Sequence, residues 1–213
     1  MTKFLHRRAF GRFALAGLML GAALTLVRPV HAADESPEQF VQRISADVLD
    51  TIKADKSIKA GDIDKIMHLV DTEIMPNVNF ERMTSAAVGP AWRTATPDQR
   101  AQLQEQFKTL LVRTYAGALD QVSNQTVTVR PFRGSPDDTD VLVRTEVRGS
   151  GDPVQLDYRL EKAGNSWKIY NINVLGVWLV ETYRTQFAQQ INAKGIDGLI
   201  AALAARNKSN AKS

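Results

Sequence analysis

The first part of the chain, up to about residue 122, has the hydrophobic spacing of α-helices. The first helix is predicted to begin at Pro37, because Ser36 and Gln39 have the identities and spacing of a capping box. Apolar residues then recur every four positions, at Phe40, Ile44, Val48 and Ile52. This spacing places them on one face of an amphipathic helix.

Three more helices are predicted before the spacing changes. One covers Asp62 to Pro76, where the proline ends it, and a short one covers Phe80 to Val88. Thr96 and Gln99 repeat the capping box, and a broad apolar face follows them. The longest helix is therefore predicted to run from Pro97 to about Val122.

From Gln125 the hydrophobic period changes to two, which is typical of half-buried strands. Four strands are predicted, over Thr126–Val129, Val141–Val147, Val154–Leu160 and Trp167–Val174. The polar and glycine-containing segments between them are too short for crossover helices. An antiparallel meander is therefore expected.

Two helices are predicted after the strands, from Val177 to Asn192 and from Ile196 to Arg206, with Gly195 between them. The order of helices, strands and helices predicts an α+β domain, with a four-stranded antiparallel sheet packed on one side by helices. Such a sheet can curl around an interior space. We assign residues 33–206 to this single domain and residues 207–213 to a disordered polar tail.

The first 32 residues have the pattern of a cleaved signal peptide. Residues 13–27 carry no charge and follow basic residues, and small residues at Val30 and Ala32 suit cleavage after Ala32. Residues 6–12 resemble a twin-arginine signal, with a Sec signal as the alternative. The uncharged run is shorter than the roughly 18 residues of a spanning helix, and the chain has no Cys for lipid attachment. A soluble periplasmic protein is expected.

Charge argues against a nucleic-acid partner once the signal peptide is set aside. The 213-residue chain has a net charge of +4, with 27 basic and 23 acidic residues. Five basic residues precede the first acid, Asp34, so the remainder has 22 basic and 23 acidic residues and a net charge of −1. The hydrophobic fraction of 44% suits one globular domain.

Few residues are suited to catalysis or metal binding. His68 is the one imidazole outside the signal peptide, there is no G-x-S-x-G motif beyond it, and cysteine is absent. Asp137, Asp138 and Asp140 could hold calcium, but the EF-hand spacing is missing and a hairpin turn is the simpler interpretation. We therefore predict no catalytic, metal or cofactor site and expect that the protein is not an enzyme.

Aromatic residues lie on or beside the predicted apolar faces, at Tyr115, Tyr158, Tyr170, Trp178, Tyr183 and Phe187. Each could belong to the core, and together they suit a pocket for an apolar ligand. Two alternatives remain at this point. One is a small-molecule enzyme that uses Asp157 or Glu181 as its acid or base, and the other is a protein adaptor that binds through its apolar face.

Four segments together resemble the MlaC family of periplasmic phospholipid-binding proteins, which is also known for toluene tolerance. These segments are Asp71–Pro76, Ala95–Arg100 leading into Phe107 and Tyr115, Tyr170–Val177 followed by Tyr183–Phe187, and Gly195–Ile200. They occur in order over nearly the whole exported chain. The sequence departs from the family pattern at Trp178, where serine is usual, and at Asn171, where aspartate is common.

The resemblance implies an NTF2-like fold with phospholipid acyl chains inserted in an apolar cavity between sheet and helices. The expected lining is Ile74, Met75, Phe107, Leu111, Tyr158, Ile172, Val174, Val177 and Trp178. Tyr115 and Arg184 are expected near the head group. The resemblance also implies a carrier, expected to be monomeric, that exchanges phospholipid between two partners and maintains outer-membrane lipid asymmetry. These partners are an inner-membrane ABC transporter with an MCE-domain protein and an outer-membrane lipoprotein with a porin.

Overall fold

A computed structural model describes residues 34–135, 137–149 and 151–210. The predicted signal peptide, its cleavage site and residues 211–213 lie outside the described residues. The described helices are α1 Pro37–Ala54, α2 Lys56–Lys59, α3 Ile63–Leu69, α4 Phe80–Val88, α5 Pro97–Tyr115 and α6 Leu179–Asn210. The strands are β1 Thr126–Val129, β2 Asp140–Arg148, β3 Val154–Ala163, β4 Ser166–Val174 and β5 Val177–Trp178. None of the helices described is long and apolar enough to cross a membrane.

Both predicted capping boxes are present. The Ser36 hydroxyl accepts from Gln39 N at 3.2 Å and the Gln39 side chain accepts from Ser36 N at 3.1 Å, and Thr96 and Gln99 repeat this exchange at the start of α5. Each exchange satisfies two backbone groups. The long helix ends at Tyr115, earlier than predicted, in a 3₁₀ turn that contains Gly117, a weak helix former.

The helix predicted from Asp62 to Pro76 changes its hydrogen-bonding pattern along its length. It is α-helical over Ile63–Leu69, a π turn over Val70–Ile74 and a 3₁₀ turn over Met75–Asn77. The Thr72 hydroxyl donates to the carbonyl of His68 at 2.8 Å. Pro76 has no backbone N–H and a fixed φ, so the regular helix cannot continue through it.

The sheet has five strands in the order β1-β2-β3-β4-β5, all antiparallel, so the prediction of four strands was wrong. The extra strand takes Val177 and Trp178, which had been assigned to the following helix. Leu175 and Gly176 have φ values of 52° and 87° and form a two-residue turn that pairs Val174 with Val177. Positive φ at both turn residues gives the twist that hairpins prefer.

Two faces of the sheet are defined by the strand register. The inner face carries Val143, Tyr158 and Ile172, which are aligned across β2, β3 and β4. The outer face carries Arg144, Asp157 and Asn173, which are aligned in the same way. A bulge shifts the register between Arg159 and Leu160 of β3. The bulge leaves Tyr170 of β4 without a partner residue.

Three groups of buried apolar side chains form the core. The helix cluster joins α4, α5 and α6, the sheet cluster joins α1 to the inner face, and the α3 cluster joins α1, α2 and α3 to the end of α5. Val78 and Ile172 contact both the helix cluster and the sheet cluster, and Val48 contacts the sheet cluster and the α3 cluster. The predicted α+β class, with an antiparallel sheet packed against helices, is confirmed.

The last helix extends beyond the predicted boundary at Arg206. α6 changes direction at Gly195, whose φ is 69°, and then continues to Asn210. Asn207 is buried, and its amide donates to the backbone and side-chain oxygens of Gln106 in α5, both at 2.9 Å. These bonds hold Asn207 against the domain, although the polar composition of residues 207–213 predicts a disordered tail.

Candidate functional site

Four of the predicted lining residues follow one another across the inner face of the sheet. Tyr158 pairs with Ile172, Val174 lies two residues further along β4, and Val174 pairs with Val177 of β5. Tyr158, Ile172 and Val174 are partly buried, and Val177 is 52% exposed. The four side chains form an apolar stripe that runs from the sheet interior to its β5 edge.

The interior end of this stripe lies under α1. Tyr158 packs against the sheet cluster and interacts with the hydroxyls of Ser45 in α1 and Thr145 in β2. Burial raises the pKa of Tyr158, although those two hydroxyls act in the opposite direction. Its phenol therefore stays protonated and neutral at neutral pH.

The helices contribute a second group of predicted residues. Phe107 is fully buried, with ring centroids 5.7 Å from Phe80, 4.9 Å from Tyr183 and 5.2 Å from Phe187. Leu111 and Met75 pack against the same helix cluster as Ile172. The structure thus places Phe107, Leu111 and Met75 in or against one cluster that Ile172 of the sheet also contacts. Ile74 is partly buried in the π turn beside Met75.

Trp178 lies on the other side of the sheet. It pairs with Asn173, so its side chain is on the outer face, and the Arg159 guanidinium lies 4.2 Å from the centre of its ring. Arg159 also pairs with Glu181 at 2.7 Å. The structure does not bring Trp178 together with the inner-face stripe.

Three large apolar side chains are exposed among the described residues: Tyr115, Leu175 and Val177, at 39%, 64% and 52%. Leu175 and Val177 belong to the β4–β5 turn, where the inner-face stripe reaches the edge. Tyr115 lies at the end of α5, and burial and the nearby Tyr183 raise its pKa. Sequence analysis missed Leu175, because a Leu-Gly pair lacks the asparagine that signals this type of turn.

The two residues expected near the head group have different neighbours. Arg184 is exposed on α6, and its Nε lies about 3.7 Å from where a Cβ on Gly89, after α4, would be. Tyr115 neighbours Tyr183 instead. No hydrogen bond links Tyr115 to Arg184 in the part of the chain that the structure describes.

The acids named for an alternative enzyme are not on the inner face that carries Tyr158, although Asp157 is buried. Asp157 alternates with Tyr158 along β3 and lies on the outer face, where it accepts from the Gln155 amide at 3.2 Å. Glu181 is bound by Arg159 and by the amide of Asn171. Burial would raise the Glu181 pKa, but the hydrogen bonds from Asn171 and Arg159 outweigh it and lower the pKa. Within the described ranges, no three His, Asp or Glu side chains are close enough to hold a metal ion.

Two clefts on the surface are lined by other residues. One, of about 470 Å³, lies between α1 and the π turn, where Thr51 donates to Glu73 at 2.9 Å. The other, of about 660 Å³, lies between the segment after β1 and the start of β2. Neither contains a residue of the predicted lining, so the apolar cavity itself remains a prediction.

Comparison with known proteins gives consistent matches. The family model of the MlaC protein matches residues 42–205. Toluene tolerance protein ttg2D of Pseudomonas putida is 29% identical over 182 residues, which cover 84% of this chain and 83% of that protein. The intermembrane phospholipid transport system binding protein MlaC of Haemophilus influenzae is 26% identical over 179 residues, covering 82% and 84%.

A solved structure resembles most of this chain. It is a phospholipid-binding protein from Ralstonia solanacearum in complex with a phospholipid. It is 48% identical to this chain, covers 84% of this chain and 99% of its own, and superposes with a TM-score of 0.79.

Proposed function

The chain belongs to the MlaC family, and from this premise we propose that it is a periplasmic carrier that binds phospholipid by its acyl chains. The observation that carries the proposal is the 48% identity, with a TM-score of 0.79, to a structure that holds a phospholipid. The acyl chains lie between the inner face of the sheet and the helix cluster. Export by way of the N-terminal signal places the carrier between the two membranes.

The proposed path of the acyl chains follows the inner-face stripe. Tyr158, Ile172 and Val174 form its sheet side, and Phe107, Leu111 and Met75 form its helix side. Exposed Val177 and Leu175 mark the end where the path meets solvent. Ile74 and Trp178 complete the set of lining residues and take part only if the π turn and β5 shift when lipid enters.

The energetics require a dry apolar path and little specificity. Two acyl chains contain about 30 methylenes, and removing these from water is worth on the order of 25 kcal/mol at about 0.8 kcal/mol each. A bilayer offers the same gain. The free energy with which the carrier binds acyl chains therefore has to be close to that of the bilayer, because a much tighter site would not release lipid.

The carrier function implies two docking events. We propose that the protein exchanges phospholipid with an inner-membrane ABC transporter complex that contains an MCE-domain protein, and with an outer-membrane lipoprotein and porin. Such exchange maintains the lipid asymmetry of the outer membrane. A monomer suits this cycle, since it must present the same exit to two different partners.

The lining is tested by native mass spectrometry, with lipid extraction, on protein purified from the periplasm without detergent. We expect an adduct of phospholipid mass on the wild type and none on Val174→Glu, because a carboxylate on the inner face cannot be solvated among acyl chains. Thr128→Glu adds the same charge at an exposed outer-face position and should keep its lipid. Val177→Glu, at the exposed end of the stripe, should lose only part of its bound lipid.

Two results would contradict the proposal. A folded wild type without bound lipid would overturn phospholipid binding, and a folded Val174→Glu with a full complement of lipid would overturn the lining. The head-group role of Tyr115 and Arg184 has a separate test. Arg184→Ala should weaken lipid retention or transfer, and unchanged values for both would remove Arg184 from the site.

A further inference from the structure

The second surface cleft, of about 660 Å³, is rich in arginine, and none of its lining residues belongs to the predicted acyl-chain lining. Arg130 and Arg133 line it from the segment after β1, and Arg144 lines it from β2. Phe132 and Leu142, both partly buried, form apolar parts of its wall. Arg144 lies on the outer face, on the opposite side of the sheet from Tyr158.

The acidic residues of the cleft are bound within the protein. Asp140 accepts from Arg82 at 3.0 Å and from the Tyr170 hydroxyl at 2.6 Å. Asp138 accepts from the backbone N–H of Ser135 at 2.8 Å. Neither carboxylate has to pair with an arginine of the cleft.

The arginines of the cleft, in contrast, have guanidinium N–H groups that bind no acceptor among the described residues. Arg130 shares the single carboxylate of Glu146 with Arg148, at 3.3 Å and 2.7 Å. The guanidinium groups of Arg133 and Arg144 make no hydrogen bond or ion pair with the described residues, although the Arg144 carbonyl accepts from the backbone. Arg133 and Arg144 therefore present guanidinium groups that no carboxylate in the described ranges binds, although Asp138 adds one negative charge to the lining.

The backbone that presents these arginines is fixed at two points. The N–H of Phe132 donates to Glu38 of α1 at 2.9 Å, and the N–H of Arg130 donates to the carbonyl of Arg144 at 2.9 Å. Guanidinium groups on a fixed backbone lose less freedom when they bind a carboxylate. The cleft is thus prepared to bind anions without refolding.

We infer that this cleft docks an acidic, extended segment of a partner protein. Carboxylates of the segment pair with the forked donors of Arg133 and Arg144, and an apolar side chain between them contacts Phe132 and Leu142. A concave site with apolar walls suits a peptide that inserts side chains better than it suits the flat surface of an anionic bilayer. The exposed Arg133 and Arg144, which would carry this contact, lie outside the proposed acyl-chain lining.

The inference is tested with a fluorescein-labelled peptide of alternating Asp and Leu, using fluorescence anisotropy at low ionic strength. We expect the wild type to bind it and Arg133→Glu/Arg144→Glu to lose at least about tenfold in affinity, since attraction becomes repulsion. Arg93→Glu/Lys194→Glu makes the same change of net charge at exposed positions outside the cleft. This control should stay within about twofold of the wild type.

Three results would overturn the inference. They are no binding to the wild type, an equal loss in the control variant, and a cleft variant that loses binding to phosphatidylglycerol vesicles while it keeps the peptide. The last result would assign the cleft to a membrane surface. Lipid loading measured on the same samples should be unchanged by Arg133→Glu/Arg144→Glu, which separates this docking role from the proposed acyl-chain site.

Discussion

Asn171 donates its side-chain amide to the Glu181 carboxylate at 2.8 Å, and this bond joins the last long strand to the start of the last helix. The side-chain oxygen of Asn171 also accepts from the N–H of Val180 at 3.2 Å and from its neighbour Ile172 at 2.9 Å. Asn171 is 2% exposed. One buried amide therefore satisfies two backbone donors and one carboxylate.

Replacing this amide with a carboxylate should destabilise the protein in a pH-dependent way. Asn171→Asp removes the donor and places a second negative charge against Glu181, so we expect the free energy of unfolding at pH 7 to fall by about 2–3 kcal/mol. The loss should shrink at about pH 4, where the new carboxyl is partly protonated. Urea denaturation at both pH values measures it.

A second substitution checks the cause of that loss. Asn171→Asp/Glu181→Gln restores a donor and removes one charge, and it should recover most of the free energy of unfolding. No recovery would mean that the loss does not arise from the interaction between residue 171 and Glu181.

The turn between β4 and β5 can be made more stable. Leu175 has a φ of 52°, which costs a residue with a branched side chain about 1 kcal/mol, whereas asparagine adopts it readily. Leu175→Asn should therefore raise the free energy of unfolding by up to about 1 kcal/mol. Gly176→Ala, at a φ of 87°, should lower it. A Leu175→Asn variant no more stable than the wild type would show that the turn is not strained.

Phe107 should contribute more to the stability of the fold than to lipid binding. Its ring is fully buried against three other aromatic rings, so Phe107→Ala should lower the free energy of unfolding by about 3–5 kcal/mol. Leu111→Ala, one turn further along α5 and only partly buried, should cost less. Denaturant titration compares the two. A stable Phe107→Ala that had lost its lipid would make Phe107 chiefly a ligand contact.

Tyr170 should make stability depend on alkaline pH. Burial and the hydrogen bond to Asp140 raise its pKa from 10.0 to about 12, against the opposing charges of Arg82 and Arg159. Between these values the folded state keeps the phenol proton and the unfolded state releases it, so stability falls as pH rises.

A conservative variant isolates this effect. Tyr170→Phe cannot titrate, so its disadvantage relative to the wild type should narrow between about pH 10 and pH 12. Urea midpoints at about pH 9 and pH 12 test this. A constant difference across the range would mean that Tyr170 titrates alike in both states.

Local pattern was enough to predict the starts of α1 and α5 and the first four strands. A capping box is complete within four residues, and strand alternation is decided by neighbours two positions apart. The family resemblance, and with it the phospholipid, also came from short segments read in order. Tyr158, Ile172 and Val174 were predicted as part of the lining that the resemblance implies, and the strand register places them on one face.

Contacts between residues that are distant in the chain determine the features that local pattern could not predict. The β4–β5 turn sends Val177 to the edge of the sheet and Trp178 to the outer face, since a two-residue turn fixes which residues pair. Asn207 is held in the domain by Gln106, about a hundred residues earlier in the chain. The arginine cleft likewise depends on which carboxylates Arg82, Tyr170 and Ser135 have already bound. The sequence by itself determined most of the helices and strands, because their patterns are local. The tertiary structure decided the β4–β5 turn, the extent of α6 and the pairing of the polar side chains, because these depend on residues that are distant in the chain.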